Sequence, residues 1–299
     1  MIEVIDGGRW TTIQDRGRPG LERFGIPSSG AADWFAAAVA NRLVGNQEDA
    51  ALLECTAAGP TLRFAADCVV AATGAECAGT PGWGSLRVPG SSVLVVGAIA
   101  PGLRTYLAVR GGIDVPVVLG SRSFCQRGAF GGGFGRPLVE GDRLAIGDAI
   151  HGEPLSGEWP NSHRLPSRGP WEVRVIAGPH QNAFDPTAMH RLTETACRVT
   201  SQLDRMGIRM ATPALRLQAA EILTTPVTAG AIQVTPSGEL IALLVDHQTT
   251  GGYPVIATVI NADLPLLAQA RPGETVRFRD VDAAEAARAS RRLTDWLQP

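Results

Sequence analysis

No lysine occurs in this 299-residue chain; all 27 basic residues are arginine. That absence excludes a Schiff-base lysine, a P-loop lysine, a carboxylated lysine and a biotinyl-lysine. Anions must be met by arginine or backbone amides, and the chain cannot itself carry biotin. Cysteine is scarce as well. Cys55, Cys68, Cys77, Cys125 and Cys197 are odd in number and never form a Cys-x-x-Cys pair, which argues against a disulfide framework and against zinc. His151, His163, His180 and His190 show no metal-ligand spacing, so no metal site is expected. No Gly-x-Ser-x-Gly elbow and no Cys/His pair supports a serine or cysteine hydrolase. No run approaches the roughly 18 apolar residues of a membrane helix. Met1 to Arg18 lacks the basic start and apolar core of a leader, so a cytoplasmic address is expected. A net charge of -2 gives no reason to expect nucleic acid or an anionic membrane as a partner.

What is present reads as mainly β. The 35 glycines and 21 prolines are spread along the whole chain and punctuate many short elements. Strands are expected at Thr61 to Phe64, Cys68 to Ala72, Ser92 to Val96, Thr105 to Val109, Arg143 to Ile146, Glu172 to Ile176, Ile241 to Val245, Val255 to Ile260 and Thr275 to Phe278. Turns such as Pro89-Gly90, Glu140-Gly141-Asp142 and Pro272-Gly273-Glu274 each feed a strand, a pattern that favours closed barrels. Four helices are expected. One lies within Ser29 to Asn46 with Ser28 or Ser29 as its cap, and one runs from Asp185-Pro186 to about Cys197. A short one is capped by Asp263 and runs through Gln269, and the last spans Asp282 to Leu297, opened by an Asp282…Glu285 capping box. Between Asp148 and Trp171 the hydrophobic periodicity lapses, which divides the chain into domains 1–165 and 166–299.

Four constellations could carry chemistry. Asp246-His247-Gln248-Thr249-Thr250-Gly251-Gly252-Tyr253-Pro254 sets almost every kind of hydrogen-bonding side chain between two apolar runs. His247 could move protons near neutrality, oriented by Asp246, or it is a structural histidine that satisfies loop carbonyls. Ser201 to Arg209 places Asp204 beside Arg205 and near Arg209; an ionised Asp204 would position a substrate amide, or the cluster is a structural ion-pair turn. Gln14, Asp15, Gly17 and Arg18 could bind an anion or simply close turns. The stretch from Leu119 to Arg136 could cradle a phosphate between Arg122 and Arg136, or form a tight loop.

Taken in order, Thr12-Ile13-Gln14-Asp15, Gly17-Arg18, Gly111-Gly112-Ile113, Leu119-Gly120-Ser121-Arg122, Gly135-Arg136, Asp204-Arg205-Met206-Gly207, Gly230-Ala231-Ile232-Gln233-Val234 and Asp246 to Pro254 resemble the family labelled allophanate hydrolase subunit 2. The same family is known as the C-type subunit of 5-oxoprolinase or the biotin-dependent carboxyltransferase family. The likeness runs from about Ile2 to Phe278. It departs from the family pattern at Ser123-Phe124, where Ser-Thr is common, and at Thr235-Pro236, where Pro-Pro is usual.

The resemblance implies two tandem cyclophilin-like β-barrels with a few peripheral helices. It also implies a hetero-oligomer with two partners: a B-type subunit, of the allophanate hydrolase subunit 1 kind, and a lactam-hydrolysing A-type subunit. That complex opens 5-oxoproline to glutamate using ATP. Related readings are a carboxyltransferase whose biotin sits on a partner, and a regulator that binds a subunit 1-like kinase inhibitor. On these grounds Asp246, His247, Arg205 and Asp204 are the catalytic candidates. Gln248, Thr249, Thr250, Gly251, Gly252, Tyr253 and Gln233 are expected to contact substrate. Gln14, Asp15, Arg18, Arg122 and Arg136 are expected to hold anions.

Overall fold

Trp171, Val173 and Val175 are buried while the residues between them are not, the period-2 signature of a strand with one face on a core. In the computed structural model, residues 1–299 are described except 150, 151, 156, 213, 214, 216, 219–221 and 299. His151 and part of the stretch read as a boundary therefore lie outside the described residues. The chain divides into two units. The first holds Met1–Pro19 and Ser28–Ser167, the second Gly20–Pro27 and Arg168–Pro299. The excursion of Gly20–Pro27 into the second unit has no counterpart in the sequence reading.

The second unit is built on a closed barrel. Its strands run β11 (Trp171–Ala177), β18 (Val255–Val259), β15 (Ala231–Val234), β16 (Leu240–Leu243), β13 (Gly207–Ala211), β12 (Ala196–Leu203) and β19 (Thr275–Asp280). Closure comes from the parallel pairing of β11 with β19, Trp171 opposite Val276 through Val175 opposite Asp280. Val173, Val175, Met210, Ile232, Val234, Ala242, Ile256, Val276 and Phe278 fill the interior. Each large side chain so buried contributes roughly 1.5–3 kcal/mol against chain entropy. A two-stranded ribbon, β14 (Thr225–Pro226) with β17 (Thr250–Gly251), stands outside the barrel.

The first unit has two five-stranded sheets. One runs β7 (Val93–Ala98), β4 (Ala58–Phe64), β1 (Ile2–Asp6), β10 (Arg143–Ile146) and β9 (Ile113–Asp114). The other runs β2 (Thr11–Gln14), β3 (Leu52–Thr56), β8 (Arg104–Val109), β5 (Cys68–Gly74) and β6 (Gly84–Val88). Ile2, Val4, Leu53, Leu62, Phe64, Val70, Val96, Leu107 and Leu144 share one core. The mainly β class with peripheral helices therefore holds, with the strands of the first unit forming two sheets and those of the second a closed barrel.

Three helix starts differ from the expected caps or lengths. Helix α1 (Trp34–Leu43) is capped by Asp33, whose Oδ1 accepts from Ala36 N–H at 2.9 Å, and not by Ser28 or Ser29. Helix α2 (Ala188–Glu194) stops short of Cys197, which is already in β12. Asp263 precedes α3 (Leu264–Gln269) without capping it; its carboxylate instead accepts from the backbone N–H, Nε and Nη2 of Arg174 at 2.7, 2.9 and 2.6 Å. A bidentate, charge-assisted pair outcompetes one capping bond. Helix α4 (Ala283–Leu297) starts as expected, with Asp282 accepting from Glu285 N–H at 2.7 Å.

Candidate functional site

The turn between β12 and β13 is drawn by one carboxylate. Asp204 Oδ1 accepts from the N–H groups of Met206 and Gly207 at 2.7 and 3.2 Å, which reverses the chain within a few residues. Asp204 is not paired with the arginines beside it in sequence. Arg205 donates from Nε to Asp246 Oδ2 at 2.8 Å, and Arg209 donates from Nη1 to Glu239 at 2.6 Å. Of the two readings of this cluster, the ion-pair turn is not formed: Asp204 Oδ1 is spent on its own backbone and each arginine pairs with a more distant carboxylate.

Arg205 and Asp246 are almost wholly buried, with side chains 2% and 0% exposed. Removing one partner of such a pair strands a charge and costs roughly 3–5 kcal/mol. Asp246 Oδ1 has no hydrogen-bond partner among the described residues. The carboxylate therefore faces Arg205, not the neighbouring imidazole, and the expectation that Asp246 orients His247 is corrected. The ring is held instead by its own turn, with Nδ1 2.6 Å from the carbonyl oxygen of Gln248. A carbonyl only accepts, so Nδ1 carries the proton and the neutral ring keeps its lone pair on Nε2. Burial lowers the His247 pKa below its ordinary 6.5, opposed by the Gln248 carbonyl and by the charges of Glu22 and Asp246. His247 is thus a neutral base at physiological pH.

On the same unit lies a cleft of about 500 Å³. It gathers Asp204, Gln233, and the pair Gln248 and Tyr253 from three separate stretches of sequence, with Ser201 and Arg209 on its wall. Asp204 Oδ2 makes no hydrogen bond among the described residues and is available there. Strands β12, β13, β15 and β16 supply most of the wall, so a rigid barrel positions the polar groups. Arg209 was not expected among the site residues. The signal was its place on β13, five residues after Asp204, where strand alternation gives it a face of its own.

Of the motif only Gln248 and Tyr253 line the cleft; Asp246 and His247 are buried and do not, and the other members turn elsewhere. Thr250 and Gly251 pair with Pro226 and Thr225, Thr249 accepts from Val227 N–H at 3.1 Å, and Gly252 accepts from Ile222 N–H at 3.3 Å. Their role in the structure is to hold the ribbon, and none of the four lines the cleft.

In the first unit the expected anion site is a set of internal ties. Asp15 accepts from Gly17 N–H, Ser121 Oγ, Ser123 Oγ and Arg122 N–H at 2.7, 2.6, 2.5 and 2.6 Å. Four donors fill the carboxylate. Gly17 has φ +84° and lies too close to the carbonyls of Ser28 and Ser29 to carry a side chain. Buried Arg18 donates to the Ser123 carbonyl and stacks on Phe130 at 5.0 Å. Gln14 Nε2 donates to Thr12 Oγ1 and Phe124 O at 3.0 and 3.2 Å. Arg122 donates to Val115 O at 3.0 Å and faces Asp114 at 3.4 Å. Arg136 grips Asp142 with two bonds of 2.7 Å, which holds the Asp142 carboxyl below the usual range. All three arginines have anionic or carbonyl partners within this unit.

Comparison with known proteins shows the family of the chain. The family model described as carboxyltransferase domain, subdomain A and B, matches residues 24–280. The chain is 36% identical to the C-type subunit of 5-oxoprolinase from Escherichia coli (strain K12), over 97% of this chain and 94% of that one. It is likewise 36% identical to the C-type subunit of 5-oxoprolinase from Haemophilus influenzae, over 99% of this chain and 96% of that protein. The crystal structure of the K. lactis urea amidolyase superimposes with a TM-score of 0.91 at 29% identity, covering 99% of this chain but 20% of that much longer one. The chain belongs to the carboxyltransferase family of subdomains A and B, which includes the C-type subunit of 5-oxoprolinase.

Proposed function

We propose that this chain is the C-type subunit of an ATP-dependent 5-oxoprolinase, acting with B-type and A-type partners to convert 5-oxo-L-proline to L-glutamate and inactive alone. The observation that carries this reading is the barrel cleft. Its wall brings together Asp204, Gln233, Gln248 and Tyr253; His247, neutral with its lone pair on Nε2, sits in the turn beside Gln248, buried behind that wall and not part of it. Opening a lactam needs a base that activates water or takes up the amide proton, and donors that hold the carbonyl. His247 fits the first role. Asp204 fits the positioning of an N–H, while the Arg205–Asp246 pair fixes the two segments that present them.

ATP supplies the driving force in this proposal. Because Arg18, Arg122 and Arg136 are engaged within the first unit, a partner is assigned the nucleotide, and the complex works where ATP is available, in the cytoplasm. The end-to-end likeness to proteins named as one lettered component of 5-oxoprolinase supports the place in a multi-component enzyme. The test is reconstitution. With B-type and A-type partners present, 5-oxoproline-dependent ATP consumption is expected only when this chain is added; activity in its absence ends the reading. The likeness to urea amidolyase favours a second reading, carboxyl transfer from a biotin carried by a partner. Loss of turnover on adding avidin would select it.

A further inference from the structure

Gln233 is a buried side chain with almost nothing to bond. It is 1% exposed, yet among the described residues its amide makes two hydrogen bonds, both at the outer limit of length: Nε2 to Tyr253 O at 3.5 Å and Oε1 from Gln248 Nε2 at 3.5 Å. Buried amides are ordinarily well satisfied, and one left so loosely paired on the wall of an open cleft calls for an outside partner with both a donor and an acceptor. The neighbouring backbone preserves that opening. A Cβ on Gly251 would stand 2.4 Å from Gln233 Nε2, so any side chain there would displace the amide.

Arg209 lines the same cleft. Only its Nη1 is committed, to Glu239, and the side chain is 40% exposed; Nη2 and Nε have no partner among the described residues. We propose that the Gln233 amide, with Gln248 beside it, reads the cis N–H/C=O edge of a small cyclic or open amide, while Arg209 reads an attached carboxylate and so selects a carboxylated lactam over one without the acid. The inference rests on the oxoprolinase reading for its ligand. A primary amide side chain and a cis amide are complementary at two points. Urea and 5-oxoproline share that edge, so Gln233 cannot tell them apart. Only 5-oxoproline carries a carboxylate, so the discrimination falls to Arg209.

The test compares ligands on the full chain with its B-type and A-type partners present. Direct binding of 5-oxoproline, 2-pyrrolidinone and urea is measured by calorimetry. The wild type is expected to favour 5-oxoproline over 2-pyrrolidinone. Arg209→Gln should weaken 5-oxoproline by about tenfold or more and leave 2-pyrrolidinone unchanged. Arg209→Lys should keep part of the preference, and Glu239→Gln, which removes only the structural pair, should keep all of it. Gly251→Ala, by pushing the Gln233 amide aside, should weaken all three ligands together. A preference that survives Arg209→Gln, equal binding of the two lactams by the wild type, or no binding of any of the three overturns the proposal. A chain dispensable for ATP consumption that still shows the Arg209-dependent preference would sink the oxoprolinase reading alone.

Discussion

His247 couples the stability of the chain to pH. Burial lowers its pKa from 6.5 in the native chain, whereas the unfolded chain takes up the proton as pH falls through about 6.5. In the window below that value the unfolded state therefore holds more protons, so native stability drops with falling pH until the native ring also protonates; above it, this residue adds no pH dependence. The acid limb of kcat/KM in the reconstituted complex should accordingly have its midpoint below 6.5. Urea denaturation of wild type and His247→Gln between about pH 5 and 7.5 isolates the stability effect, because other groups titrate equally in both. The advantage of the glutamine variant should grow as pH falls, and a difference that stays flat across the range would show that the imidazole is not held neutral. Buried Asp246, next in sequence, is fixed from the other side: Arg205 takes one of its oxygens, and among the described residues no donor reaches the second.

Helix α4 shows which elements can be read locally. Ala289, Leu293 and Leu297 recur every four residues on its buried face, and Asp282 caps it from the predicted position. Only half of the predicted capping box forms, because the Glu285 carboxylate turns to Arg279 at 2.5 Å, which lowers its pKa. Asp282→Ala should thus cost about 1 kcal/mol in chemical denaturation, while Glu285→Ala should cost far less, since its ion pair is exposed; equal losses would contradict this division. Strands with one apolar face, such as Arg143–Ile146, were equally legible. Strand β2 was not. Thr11, Thr12 and Gln14 are all buried, and a strand enclosed on both faces by hydroxyl and amide groups carries no hydrophobic period. The cleft was legible residue by residue but not as a group. Asp204 and Gln248 stand out by hydrogen-bonding capacity and Gln233 by the family resemblance, whereas their convergence depends on β12, β13, β15 and β16 lying side by side. The direction of Asp246, toward Arg205 41 residues away and not toward adjacent His247, likewise depends on tertiary pairing.

At the scale of the molecule, the chain is tied by an eight-residue excursion. Gly20–Pro27 leaves the first unit's sequence to become part of the second, where its Glu22 contributes to the field at His247. The second barrel therefore needs residues encoded before the first unit is complete, and it closes only when β19 pairs with β11, about a hundred residues earlier in the chain. A cut between the units should not behave like a cut between two beads on a string. If a protease site is placed after Ser167 and the folded protein is then cleaved, the fragment ending at Ser167 still carries Gly20–Pro27 and should stay with the fragment beginning at Arg168 on gel filtration. Replacing Gly20–Pro27 with a Gly/Ser stretch of equal length should lower the fraction recovered together. It should also shift the acid limb of activity to lower pH, since Glu22 is one of the groups that raise the His247 pKa. Fragments of the native sequence that separate at once after cleavage would show that the excursion does not bind the second barrel. An unchanged acid limb in the replaced chain would show that Glu22 plays no part in setting the charge of His247.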